Sequence, residues 1–170
     1  MVRTIAAALL AAAVAFPAAA APAPRLAMSS YAELAAPLPY PYDERANANA
    51  DVARAKARAK AQHKLLMIDL GGNWCGDCRI LTATMEQAPE LKAFVAKHYV
   101  TVMVDVGRFD RNLQVPAHYG ITDRLEGVPA LLIVDPKTDR LLDPGAVSAI
   151  QDARNLSPQT LADWLAQWTH

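Results

Sequence analysis

Cys75 and Cys78 are the only two cysteines in 170 residues, and two residues separate them. In the run Trp74-Cys75-Gly76-Asp77-Cys78-Arg79 they follow an apolar stretch suited to a buried strand and open one suited to a helix. That spacing puts both sulfurs within bonding reach across the first turn of the helix. The unpaired N–H groups and the positive end of the helix dipole favour a thiolate there. The chemistry this permits is two-electron exchange. Cys75, at the mouth of the turn, attacks a partner's disulfide, and Cys78, one turn in, attacks the mixed disulfide and releases the partner. Such a cycle requires no cofactor. Two other uses of the pair stay open. It could be half of a zinc site, although His63, His98, His118 and His170 offer no second half at zinc-finger spacing. It could also be a structural staple, but so short a loop constrains the unfolded chain little.

The elements that must position the pair can be read around it. Leu65–Leu70, closed by Gly71-Gly72, has the composition of a strand buried on both faces. Arg79–Gln87 reads as a helix that Pro89 interrupts and Glu90–Lys97 resumes, with Leu91, Phe94 and Val95 on one side. Val100–Val106 suits a second strand, Asn112–Tyr119 a short helix, and Ala130–Val134 a third strand. Residues 135–139 form a turn into a short fourth strand near Arg140–Leu142. Ser157-Pro158 has the signature of a helix start, and Leu161, Trp164, Leu165 and Trp168 share one face of the helix it opens. The expected fold is α/β, a small mixed sheet flanked by helices.

Upstream, Arg3 precedes the apolar run Ile5–Phe16, and small residues occupy Pro17 to Ala21. This is the layout of a secretory signal peptide over residues 1–20, cleaved after Ala18-Ala19-Ala20. The run is shorter than the roughly 20 residues a membrane span needs, so an uncleaved anchor is the less economical alternative. Residues 21–43 read as an extended Pro/Ala-rich lead-in, which either packs on the domain or tethers it. Residues 44–62 read as an additional helix whose packing strip is limited to Val52 and alanines. Seventeen Lys and Arg balance seventeen Asp and Glu, which argues against a general nucleic-acid binder. No metal ligand set is evident, and nothing calls for more than a monomer.

Met67-Ile68-Asp69-Leu70-Gly71-Gly72-Asn73-Trp74-Cys75-Gly76-Asp77-Cys78 resembles the active-site segment of the thioredoxin family. Tyr119-Gly120-Ile121, Gly127-Val128-Pro129-Ala130 and Gly145-Ala146 resemble later landmarks of the same family, so the similarity runs from about Lys64 to Trp168. The resemblance implies a thioredoxin-like domain over 44–170 and a thiol–disulfide oxidoreductase. Cys75 would be its attacking thiol and Cys78 its resolving thiol. Asp69, six residues before Cys75, stands where the family keeps a buried acid beneath the disulfide. A carboxylate in an apolar strand should have a raised pKa, which suits it to take the Cys78 proton, unless it caps a turn or pairs with a cation. Pro129 would be cis, presenting the Val128 backbone to an extended substrate; by itself it reads as a strand-start proline. Trp74 would be an apolar docking surface or else a core residue, and Gly76 and Asp77 would complete the substrate contact.

The departures bear on direction. Asp77 replaces the proline common before the second cysteine, and an acid there should raise the Cys75 pKa and favour the disulfide, with Arg79 placed to screen it. The family's lysine near the buried acid has no counterpart in Tyr99–Val106. Extra residues at 122–126 and between Ala146 and Leu156 either reshape the substrate groove or lengthen loops. The reading is an exported, periplasmic or secreted reductant of protein disulfides, recharged by a membrane electron donor. An oxidase or isomerase, or a non-catalytic binding or metal-handling module, are the alternatives.

Overall fold

The structure, a computed structural model, describes residues 20–169. The expected signal peptide lies outside these residues but for Ala20. Strand β1 (Leu65–Gly71) is central, parallel to β2 (Tyr99–Asp105) on one side and antiparallel to β3 (Ala130–Asp135) on the other. β4 (Arg140–Leu141) closes the far edge, giving the order β2-β1-β3-β4. Helix α1 (Ala48–Ala61) precedes β1. α2 (Gly76–Gln87) and α3 (Pro89–His98) link β1 to β2. α4 (Gln114–His118) lies between β2 and β3, and α5 (Pro158–Ala166) ends the fold. This is the thioredoxin-like α/β architecture.

Period-two alternation along β1 sends successive side chains to opposite layers. Leu66, Ile68 and Leu70 pack with Ala48, Ala55 and Ala59 of α1 and Val115 of α4. Met67 packs with Leu81 and Met85 of α2, Leu91 and Phe94 of α3, and Leu161 and Leu165 of α5. Each fully buried Leu or Ile contributes about 1.5–3 kcal/mol. Asp69 shares the parity of Met67 and therefore faces the α2 layer.

Local chemistry fixes the helix ends. α1 starts at Ala48 rather than Glu44, because the Asn47 side chain accepts the Ala50 N–H at 3.0 Å and sets the cap there. Ala88 ends α2 and caps α3, with Pro89 in the first turn, where its missing N–H costs nothing. Ser157 caps α5 as its sequence suggests, and the helix ends at Ala166, short of Trp168.

The lead-in is a strap, not a tether. The Ala21 N–H donates to the Thr169 carbonyl at 2.8 Å, and the Leu26 N–H to Gln159 Oε1 at 3.0 Å. The Ala35 N–H donates to Gln87 Oε1 at 2.7 Å. Arg79 donates to the carbonyls of Leu38 and Pro39 at 2.7 and 2.9 Å, and its guanidinium lies 4.0 Å from the centre of the Tyr40 ring. The strap therefore crosses α2 and reaches the C-terminal end of β1. Among the described residues, no helix is long and apolar enough to cross a membrane.

Candidate active site

β1 ends at Gly71, and a tight turn through Asn73 and Trp74 delivers Cys75 to the N-cap of α2. Cys75 and Cys78 form a disulfide with their Cα atoms 5.3 Å apart. The Cys75 sulfur accepts the Cys78 N–H at 3.1 Å, so one of the orphan donors of the helix already points at the attacking position. Cys75 is 6% exposed and Cys78 is wholly buried, so of the two residues only Cys75 reaches the surface.

The Val128–Pro129 bond is cis, and the Val128 carbonyl oxygen lies 3.4 Å from the Cys75 sulfur. Trp74 is 43% exposed, so its ring is surface rather than core. It is held in place by its own N–H, which donates to the Gly107 carbonyl at 2.7 Å, and by the edge of Phe109 at 6.3 Å between centroids. The Arg108 guanidinium lies 4.8 Å from the ring centre.

Asp69 is fully buried. Burial pushes its pKa up to about 7, against the opposing effect of a hydrogen bond from the Tyr42 hydroxyl to Oδ1 at 2.8 Å. Its other oxygen, Oδ2, is buried without a partner. Tyr42 itself is buried, and its phenol is held well above its ordinary pKa by burial and then by the neighbouring Asp69, so it stays a donor. Gly71 makes room for this arrangement. A Cβ there would collide with the Tyr42 hydroxyl and come within 2.9 Å of the Cys78 sulfur.

The screening of Asp77 differs from the sequence expectation. Arg79, occupied by the strap carbonyls, does not reach it; Arg154 does. The Arg154 guanidinium donates to both Asp77 oxygens, from Nη2 to Oδ2 at 2.6 Å and from Nε to Oδ1 at 2.9 Å, and the Arg154 backbone N–H adds a third bond at 2.9 Å. Partial burial pushes the Asp77 carboxyl up, but these bonds outweigh it and hold it below the usual carboxylate range. The segment from Ala146 to Leu156 is thus more than a lengthened loop: its short 3-10 turn, Ala153–Asn155, places a cation on the Gly76-Asp77 pair between the cysteines.

The structure brings the Val128 carbonyl to the Cys75–Cys78 disulfide, with Trp74, Gly76 and Asp77 next to the two cysteines in the chain, while Asp69 meets Tyr42, whose hydroxyl lies over Gly71 together with the Cys78 sulfur. Tyr42, Asn73 and Arg154 were missed. The repeated tyrosines in Pro39-Tyr40-Pro41-Tyr42 were the only sequence hint of the first, and nothing local pairs Arg154 with Asp77. Among the described residues no group of three or more His, Cys, Asp or Glu side chains converges to hold a metal.

The chain is similar to several known proteins. A family model described as thioredoxin-like matches residues 47–136. The crystal structure of a disulphide isomerase from Xylella fastidiosa Temecula1 is 36% identical with a TM-score of 0.68, covering 76% of this chain and 97% of its own. A protein of unknown function from Pseudomonas aeruginosa is 20% identical with a TM-score of 0.39, covering 82% of this chain and 97% of its own. The oxidoreductase DsbH is 24% identical with a TM-score of 0.35, covering 61% of this chain and 81% of its own. None of the curated proteins matches. The chain belongs to the thioredoxin-like family of thiol–disulfide oxidoreductases, with its Cys-x-x-Cys pair at Cys75 and Cys78.

Proposed function

We propose that this protein is an exported reductant of protein disulfides that cycles Cys75 and Cys78 between dithiol and disulfide. The observation that carries the reading is the graded burial of a sulfur pair at a helix N-terminus above a buried carboxylate. The Cys75 thiolate attacks a substrate disulfide, forming a mixed disulfide and expelling one substrate thiolate. Cys78 then attacks the Cys75 sulfur and passes its own proton to Asp69. The Cys75–Cys78 bond forms, the bond to substrate breaks, and the second substrate thiolate leaves and is protonated by solvent. The protein dithiol is oxidised and the substrate disulfide reduced. A substrate segment lies across the Val128-Pro129 backbone, with Gly76 and Asp77 beside it and the exposed Trp74 ring as its apolar contact. A membrane electron donor restores the dithiol. Export rests on the N-terminal sequence pattern alone.

Insulin reduction driven by dithiothreitol tests this. The wild type is expected to accelerate precipitation of the insulin B chain and Cys75→Ser to lose the acceleration; equal rates in both would leave a binding scaffold. The likeness to the Xylella isomerase favours a second reading, in which the same pair reshuffles disulfides. Reactivation of scrambled ribonuclease in a glutathione buffer, faster than insulin reduction at matched concentration, would support it.

A further inference from the structure

The strap delivers one side chain into the interior beneath the disulfide, and residues of the active-site segment itself hold it there. The Tyr42 N–H donates to Asn73 Oδ1 at 3.1 Å, and Asn73 Nδ2 donates back to the Tyr42 carbonyl at 2.8 Å. Asn73 lies two residues before Cys75, and Arg79, which grips Leu38 and Pro39, directly follows Cys78. Tyr42 lies outside residues 47–136, the part matched by the family model. A buried phenol needs a hydrogen-bond partner, and the one it has is the carboxylate assigned above to proton transfer.

We propose that Tyr42 is a positioning residue for substrate release: its hydroxyl holds Asp69 by Oδ1 and leaves Oδ2 as the oxygen that takes the Cys78 proton. This rests on the dithiol–disulfide cycle proposed above. Oδ2 is the unpartnered buried atom, and Gly71, two residues on and so on the same face of β1 as Asp69, has the Cys78 sulfur directly over it. Gly71, lacking a Cβ, lets the phenol and the Cys78 sulfur share the space above it. The titratable groups around the carboxylate are Tyr42 from the strap and Cys78 from α2. Asp105 of β2 acts at longer range on Tyr42 and is paired with Arg111 at 3.3 Å. The β3 residue in register with Asp69 is Leu131, which is apolar. The Tyr42 hydroxyl is therefore the group that stabilises the ionised carboxylate. With phenylalanine in its place, Asp69 would hold its proton to higher pH and be unable to accept another near neutrality.

The test tracks the two thiols released when reduced protein reacts with 5,5′-dithiobis(2-nitrobenzoate). Cys75 releases the first thionitrobenzoate, and attack by Cys78 on the mixed disulfide releases the second. In the wild type the second release is expected to rise with a midpoint near 7, the pKa of Asp69. Tyr42→Phe should move that midpoint up by about one to two pH units and slow second release below it about tenfold or more, leaving the first unchanged. In an Asp69→Asn background, Tyr42→Phe should change second release less than about twofold. A midpoint that does not move, or equal slowing in both backgrounds, overturns the proposal. If Tyr42→Phe does not unfold cooperatively, Asn73→Ala, which frees the Tyr42 backbone, decides in its place by the same criterion. Loss of all second release in the wild type would instead defeat the proposed cycle itself.

Discussion

Replacing Asp69 with asparagine should shift the stability of the oxidised protein in the variant's favour as the pH rises. The native carboxyl keeps its proton up to about 7, because burial disfavours the charged form, whereas an unfolded aspartate releases its proton near its ordinary value of 3.8. Between those values the folded state binds more protons than the unfolded one, so stability falls as pH rises through the window. Integrating the difference at 1.36 kcal/mol per pKa unit, the wild type loses about 2–3 kcal/mol through this group between about pH 5 and pH 8. Asparagine does not titrate. It keeps a carbonyl oxygen for the Tyr42 hydroxyl but places an amide where Oδ2 has no partner, a cost of about 1–3 kcal/mol that does not change with pH. Asp143, whose burial also raises its pKa to about 7, titrates in both proteins and cancels. The assay is urea unfolding of oxidised wild type and Asp69→Asn at the two pH values. The stability of the variant relative to wild type should rise by about 2–3 kcal/mol between them. A difference independent of pH would refute the assignment of a raised pKa to Asp69, and with it the fitness of this group as proton acceptor near neutrality.

Other perturbations address the rest of the site. Arg154→Ala leaves Asp77 as an uncompensated anion beside the attacking thiol. Discounted for solvent screening, that should raise the Cys75 pKa enough to slow alkylation by iodoacetamide at neutral pH about two- to fivefold, and an unchanged rate would show that the pair is only structural. Gly71→Ala pushes a methyl group against the Tyr42 hydroxyl and the Cys78 sulfur and should cost about 1–3 kcal/mol in urea unfolding; a neutral substitution would show that the strap yields. Trp74→Ala removes an exposed ring that is not part of the core. It should raise KM for insulin while leaving the reaction with 5,5′-dithiobis(2-nitrobenzoate) within about twofold, and a large loss with the small disulfide would assign the ring to sulfur chemistry instead.

The sulfur pair, its strand and its helix were legible because they are local. Apolar composition marks β1, two-residue spacing marks the reactive turn, and Pro89 and Ser157-Pro158 punctuate the helices within a few residues of where they act. The start of α1 is not legible because Glu44, Arg45 and Ala46 carry little signal against helix, and only the Asn47 side chain decides it. The contacts that tune the site were not legible at all. Tyr42 meets Asp69 across 27 positions and Arg154 meets Asp77 across 77, and no periodicity or spacing rule joins residues so far apart. Arg79 shows the converse: proximity in sequence suggested a partner for Asp77, but the side chain of Arg79 is directed to the strap, where two carbonyls accept its N–H groups.

The reduction potential of the Cys75–Cys78 couple, read as the dithiol fraction after equilibration with graded dithiothreitol or glutathione buffers, bears most directly on whether these sulfurs cycle and in which direction. A single two-electron transition near about −270 mV is expected of a reductant. A transition near about −120 mV, or a disulfide that stays closed across the whole range, would contradict it.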